Sequence, residues 1–524
     1  MRYTCLVLLV AAFSLSALLA QYQPLHCDSA WYLFAADKLL DGGELYVDIK
    51  GVHPPLVFYI HAIPVLLSRL SGCDPGTCFN FFVLALCAGA VALVFGLLDG
   101  LLGSARGRLG WLYALVLTAV LLVLPLYSNR SVGHEFGQRD HLILILVVPF
   151  IVFQARRLKE LSTRRALSLT VQVAFALGIL LKPYYIFAWF MLEIYRWCSV
   201  RMKARQVFVD NLPILAVFLG YGAAVALSPA SFHGLLHALR YYSGYNTPLS
   251  IVLRAPELIG WIWLLAAFLL VPRRGEQNPL ATVLMLGSFG LLLGALAQHK
   301  GWSYHFLPCL GLAALDVAWM VLAWLDSLPS LRIWAIRAIV GSVSAATAVW
   351  AGFALVYAVR LQGLESAGRA PWVTPISAVM RTHAARQPVL ALSTSIPPFW
   401  PAVTYSQARW ISPYHHLWLL PGLYRASCRD GRFAYRDYAS MSEAERNLLQ
   451  DLIAAIENER PVLIMLDERN SYLCWKFDFL RYLSLHPRAP ALLRDYAELT
   501  KQGFVRVLVL RGSADKTGEG GDRR

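Results

Sequence analysis

Apolar runs close to the ~20 residues that cross a bilayer recur along this chain from its N-terminus to about Ala358. No other feature restricts the fold so tightly. A chain that passes repeatedly through hydrocarbon has to satisfy its backbone hydrogen bonds within each segment, and helices do that. Only 15% of the 524 residues are charged and 57% are hydrophobic, with a mean hydropathy of +0.52, so a soluble globular chain is excluded. The sequence reads as an α-helical polytopic membrane protein with about 11–13 spans.

The formal charge of +15 suggests a nucleic-acid partner until the basic residues are placed. They cluster in short loops, "ARRLKELSTRR" (155–165), "RWCSVRMKARQ" (196–206), "PRRGE" (272–276) and "LRIWAIR" (331–337). That is the positive-inside pattern; it puts these loops in the cytoplasm and leaves no role for nucleic acid. The first run, "CLVLLVAAFSLSALLAQ", reads as a retained helix rather than a cleaved leader, since further spans follow it. Residues after Gln21 then emerge on the outer side. No cysteine spacing suggests zinc. Cys73 with Cys78, and Cys428 with Cys474, are candidate disulfides in an oxidising compartment.

Working outward from the basic loops, "SNRSVGHEFGQRD" (128–140) falls outside, and the run from Leu167 to Glu193 is a helical pair turning at "LLKPYY". Pro183 makes that turn, because proline breaks a continuing helix. Further spans are expected near 207–227, 251–271, 279–297, 306–325 and 335–358, with outer segments at 228–248 and 298–306. An outer loop 22–53 and an inner "SARGR" require an odd number of crossings between them. Two apolar runs, 54–70 and 79–102, lie there, so one of them has to be re-entrant, lie on the surface or cross irregularly. After Arg360 the texture changes. "PVLALST", "PVLIML" and "FVRVLVL" read as short strands. The expected division is a transmembrane domain over 1–359, an extracytoplasmic α/β domain over 360–511 and a disordered tail over 512–524.

The chemistry-bearing residues gather on the outer side: Asp28, Asp37, Asp41, Glu44, Asp48 and His53 in the first loop, Glu135, Arg139 and Asp140 in the second, then Lys182, His299, Lys300 and His305. Each has a plain structural reading. Asp37, Asp41 and Asp48 are solvated or capping residues, "LDGGEL" is a helix stop, and Asp28 caps a surface helix. Lys182 and the histidines sit at the interface with polar tips outward, and Glu135 or Asp140 pairs with Arg139. Together they supply acids and bases at one membrane surface, as a lipid-phosphate substrate requires: a lysine or histidine holds the phosphate, and a carboxylate takes a proton from an attacking hydroxyl. Trp31, Tyr32, Trp302 and Tyr304 either line the entry or belong to an aromatic belt.

The stretch "CDSAWYLFAADKLLDGGELYVDIKGVHPPLVFY" resembles the first outer loop of GT-C membrane glycosyltransferases, in particular protein O-mannosyltransferases and lipid A aminoarabinose transferases. The shared pattern is an acid, a short helix, LL-x-G-G-x-x-Y-x-D, then a basic residue before Pro-Pro-Leu. The match is close over this loop and looser over the multispan body to about residue 358. Such enzymes pass a sugar from a polyprenyl-phosphate donor to a lipid, glycan or protein acceptor at the outer face of a bacterial inner membrane. The resemblance makes Asp28 the catalytic base, Glu135 or Asp140 the second-loop acid, with Asp140 the better positional match, and Lys182 and Lys300 ligands of the donor phosphate. His53, where relatives carry a lysine, joins them, as do Arg139, His305 and Tyr46 among substrate-binding residues.

This chain departs from the pattern in two places. Ser29 follows Asp28, so the paired Asp-Glu of the mannosyltransferases is missing, and no Asp-x-Asp stands near Asp28. Metal-independent transfer is therefore expected, with no cofactor and a single inverting displacement, since basic side chains can stabilise a leaving phosphate. Two rivals remain. A transporter or flippase of lipid-linked sugars should carry ionisable residues at mid-membrane depth, where Asp316 is the residue to check and Asp99 lies near a run's end. A non-catalytic membrane scaffold predicts that neutralising Asp28 changes little.

Overall fold

The structure, a computed structural model, describes all residues except Met1, Gln23, 103–105, 128–133, 271–278, 327–373, 425–433, 470–471, 474–476 and 513–524. The expected span 335–358, the basic loops 272–276 and 331–337, the tail, and Cys428 and Cys474 all lie outside the described residues. The chain divides into two compact units. One comprises Met1–His26, Ile63–Val225 and Thr247–Arg360; the other comprises Cys27–Ala62, Ala226–Asn246 and Leu361–Arg524.

Helices run in the order α1 (Arg2–Tyr22), α2 (Cys27–Leu40), α3 (Leu56–Ser71), α4 (Pro75–Leu97), α5 (Arg106–Leu122), α6 (Leu124–Tyr127), α7 (Arg139–Leu158) and α8 (Arg165–Leu181). They continue with α9 (Ile186–Val200), α10 (Ala204–Asp210), α11 (Leu212–Ala226), α12 (Pro229–Tyr241), α13 (Leu249–Val252), α14 (Pro256–Leu270), α15 (Pro279–Ala297) and α16 (Leu307–Asp326). Among the described residues, α4, α7, α15 and the run Ser303–Trp324 are long and apolar enough to cross a membrane. The α10–α11 pair, bent by 65°, is either a broken span or a re-entrant loop, and five further apolar helices are shorter. The protein is a multi-pass membrane protein. Of the two runs in dispute, only α4 reaches spanning length; α3 has 16 residues and contains Pro64.

In the first unit, α7 is the central helix, buried almost along its whole length. It begins where the Gln138 side chain accepts a hydrogen bond from the Asp140 N–H at 2.6 Å, satisfying a donor the helix cannot. The chain breaks between α8 and α9 at Lys182, whose φ of −154° is not helical, because Pro183 cannot donate to a continuing ladder. A short 3-10 turn, Pro183–Tyr185, follows. That turn and the start of α9 are pressed against α15, where Gly290 and Gly294 stand four apart. A Cβ on Gly290 would lie 2.4 Å from the Ala188 Cα, and one on Gly294 would lie 2.7 Å from the Tyr184 carbonyl.

The second unit contains a five-stranded sheet: β1 (Pro388–Leu392), β2 (Arg409–Trp410), β3 (Leu463–Asp467), β4 (Tyr496–Gln502) and β5 (Val505–Leu510), in the order β2-β1-β3-β5-β4. β1 runs parallel to both β2 and β3, while β5 is antiparallel to β3 and β4. β1 and β3 are buried at every position, as continuous apolar strands in a covered sheet should be. The first outer loop is part of this unit. Lys50 donates its backbone N–H to the Pro413 carbonyl at 2.8 Å, and Trp418 donates its indole N–H to the Lys50 carbonyl at 3.1 Å. The Lys50 ammonium reaches Asp451 at 2.6 Å, and the Tyr414 hydroxyl donates to the same carboxylate oxygen at 2.7 Å.

Candidate active site

The first unit assembles a charged cluster from three segments. Lys182, released from helical geometry by Pro183, places its ammonium 2.7 Å from Asp140 Oδ2 in the first turn of α7. The Tyr185 hydroxyl lies against Asp140 Oδ1 and 2.7 Å from the His305 carbonyl oxygen. Lys182 also sits 5.0 Å above the Tyr304 ring, and Tyr304 meets His305 edge-on at 4.6 Å. The charges of Lys182, Arg139 and Lys300 all act on the buried His305 ring. Lys182, Arg139, Lys300 and Asp140 are all buried, and charges removed from water in this way have to be held in pairs or by a charged ligand.

Glu135 lies beside this cluster. Its Oε2 is 3.4 Å from His26 Nε2, and His26 meets Tyr304 edge-on at 6.4 Å. His134 is held by its backbone surroundings: its Nε2 is 2.6 Å from the Pro24 carbonyl, and its Nδ1 accepts from the Phe136 N–H at 3.1 Å. That arrangement requires the neutral tautomer with the proton on Nε2. Burial pushes its pKa down to about 4, opposed by the Pro24 hydrogen bond and reinforced by His26.

Asp28 stands in the first turn of α2 and is buried. Trp31, one helical turn on, shares its face and stacks on His415 at 4.9 Å and 18°. His415 meets His416 at 4.2 Å, and the Asp28 charge acts on His416. His53 packs here, among the rings of Tyr32 at 5.0 Å and His415 at 5.4 Å. Tyr46, in the left-handed region at φ 67°, donates its hydroxyl to the His53 carbonyl at 2.6 Å.

The remaining first-loop acids match their structural readings. Asp37, Asp41 and Asp48 are exposed, Asp48 accepts from the Glu44 N–H at 2.8 Å, and Gly42 has the positive φ of a helix stop. Cys73 and Cys78, a candidate pair, are free thiols. Asp316 is fully buried within α16 and acts electrostatically on Tyr113 of α5. Sequence reasoning did not single out Tyr185, His26, His415 or His416. The available signals were weak: a second tyrosine after "KP", and a His pair in "SPYHHLW".

No protein-family model matches the chain, and no curated protein matches it. Among solved structures, ArnT from Cupriavidus metallidurans, crystallised bound to undecaprenyl phosphate, matches with a TM-score of 0.58 and 15% identity. The alignment covers 97% of this chain and 98% of that one. At this identity the likeness is one of fold.

Proposed function

We propose that the protein transfers a sugar from a polyprenyl-phosphate donor to an acceptor hydroxyl at the outer face of a bacterial inner membrane, with its C-terminal unit extracytoplasmic. The observation that carries this reading is the buried Lys182–Asp140 pair, joined by the Tyr185 hydroxyl, which also reaches the His305 carbonyl. Its support in fold is a match along nearly the whole chain to a protein bound to a polyprenyl phosphate.

In this reading the acceptor oxygen attacks the anomeric carbon, its proton passes to Asp28, and the carbon–oxygen bond to phosphate breaks with its electron pair leaving on the phosphate. Lys182, Lys300 and Arg139 hold that phosphate as charge develops on it. Asp140, already engaged by Lys182 and the Tyr185 hydroxyl, positions the ammonium rather than taking a proton. His53 and Tyr46, packed beside the Asp28 helix, shape the first loop. One displacement inverts the anomeric centre, and a product with retained configuration by NMR would exclude it. Transfer is metal-independent; activity lost to EDTA and restored by manganese would overturn that.

The decisive test compares wild type, a deletion and Asp28→Asn at equal expression, with envelope glycans and polyprenyl-phosphate sugars profiled by mass spectrometry. The expected result is that Asp28→Asn matches the deletion, losing one sugar from the envelope while its lipid donor accumulates. An Asp28→Asn strain indistinguishable from wild type removes the transferase reading. One observation favours the transporter reading instead, the buried Asp316 within a span. It predicts that Asp316→Asn, not Asp28→Asn, reproduces the deletion.

A further inference from the structure

We infer that Tyr185 is the positioning residue that lets Lys182 turn from Asp140 to the donor phosphate, by holding the carboxylate that the lysine leaves behind. The inference rests on the reading of Lys182 as a phosphate ligand, and it gives Tyr185 a part in donor binding.

Lys182 and Tyr185 flank one short turn, and each takes a different oxygen of the same carboxylate. The Lys182 ammonium is 2.7 Å from Asp140 Oδ2, while the Tyr185 hydroxyl meets Asp140 Oδ1. The turn fixes this approach. Pro183 opens it by ending the α8 ladder, and the Tyr185 N–H donates to the Lys182 carbonyl at 3.1 Å. The Tyr185 ring is fully buried and lies against α15, where a Cβ on Gly294 would come within 2.7 Å of its Cδ1. A ring packed this closely stays in place while the lysine, on its flexible four-carbon stem, can move.

The same hydroxyl is 2.7 Å from the His305 carbonyl oxygen. A phenol carries one proton, so Asp140 and that carbonyl compete for it. The competition gives the site two settings. With Lys182 on Asp140, the carboxylate has its ammonium and the phenol proton can satisfy the carbonyl. When Lys182 moves to a phosphate, a fully buried carboxylate loses its cation, which is strongly unfavourable unless another donor takes over. Turning the phenol proton to Oδ1 supplies a charge-assisted hydrogen bond. The neutral His305 carbonyl loses less by giving it up. No proton changes owner; one hydrogen bond changes direction.

The test measures undecaprenyl phosphate binding to the detergent-solubilised full chain, and donor turnover in membranes, for Tyr185→Phe, Asp140→Asn and the double variant. Tyr185→Phe keeps the ring and loses only the hydroxyl. It should weaken undecaprenyl phosphate binding by about tenfold, as loss of one hydrogen bond to a charged group does. The fall in turnover should come through donor KM rather than kcat. In the Asp140→Asn background no charge is left stranded, so the same change should weaken binding by less than about twofold. If Tyr185→Phe alone does not accumulate, the double variant carries the test: it should accumulate and bind as Asp140→Asn does. Equal weakening in both backgrounds would make Tyr185 a packing residue only and overturn the proposal. So would a Tyr185→Phe protein that binds as tightly as wild type. Lys182→Met is run alongside: if it weakens binding while Tyr185→Phe does not, only this inference falls. If Lys182→Met binds undecaprenyl phosphate normally, the phosphate reading of Lys182 falls first.

Discussion

Lys182 carries two burdens at once, the Asp140 pair and the proposed contact with phosphate, and substitutions can separate them. Lys182→Met leaves Asp140 buried without its cation, which costs roughly 3–5 kcal/mol for a pair of this kind. Adding Asp140→Asn removes the orphaned charge, so the double variant should regain most of the thermal stability in detergent. It should still bind donor poorly, with KM raised and little stability deficit. A double variant with normal KM would show that the pair is structural only. His134 gives a second prediction at this scale. Its folded pKa of about 4 lies below the ordinary 6.5, so the unfolded chain takes up the proton first. Its contribution is intact above pH 6.5 and is lost as the pH falls through 4, about 3 kcal/mol in all. Protonating Nδ1 would also displace the Phe136 N–H that it accepts. Thermal unfolding of His134→Gln should be less acid-sensitive than wild type between pH 6.5 and 4; parallel curves would refute this.

Among the elements, the ends of α7, α9 and α10 are joined by an ion network that charge patterning alone did not reveal. Glu193 accepts from Gln154 at 2.6 Å, from Arg157 at 3.3 Å and from Arg196 at 2.7 Å. Arg196 also reaches Asp210 at 2.7 Å. The sequence marked these arginines as loop charges fixing topology; the structure uses them as partners for an acid inside an apolar helix. Glu193→Gln would leave two buried guanidiniums short of a counter-charge and lower stability by roughly 3–5 kcal/mol. Adding Arg196→Met should recover part of that loss, measured as Tm of the detergent-solubilised protein. What was legible in the sequence follows the same division. The α15 run, the Pro183 break, and strands β1, β3 and β5 could be read because each is a continuous apolar stretch between strong punctuators. β2, two residues long, and β4, "YAELTKQ", are edge strands with no apolar run to announce them. The Lys182–Asp140 pair and the Trp31–His415 stack join residues 42 and 384 positions apart, and no local pattern encodes such distances.

For the whole molecule, the lesson concerns which parts of the chain fold together. Read along the sequence, the first outer loop belongs with the membrane helices around it. In the structure its residues 27–62 group with the C-terminal unit, through Lys50 on Asp451 and Pro413, Trp418 on Lys50 and Trp31 on His415. The helix α2 buries Cys27, Asp28, Ser29, Ala30, Trp31, Tyr32 and Leu33 in succession. A 14-residue helix with so broad a buried surface has little stability of its own in water and draws it from packing. A chain ending at residue 360 should therefore keep its membrane helices while α2 loses the surface it packs on. Limited proteolysis of that shortened chain in membranes should cut within 27–36, which is almost wholly buried in the full chain, and donor consumption should be lost although the Lys182–Asp140 cluster is intact. Undecaprenyl phosphate binding should survive at similar affinity, which separates loss of the proposed base from loss of the proposed lipid site. If the shortened chain resists cleavage within 27–36 as well as the full one, the C-terminal unit is not what orders the first loop.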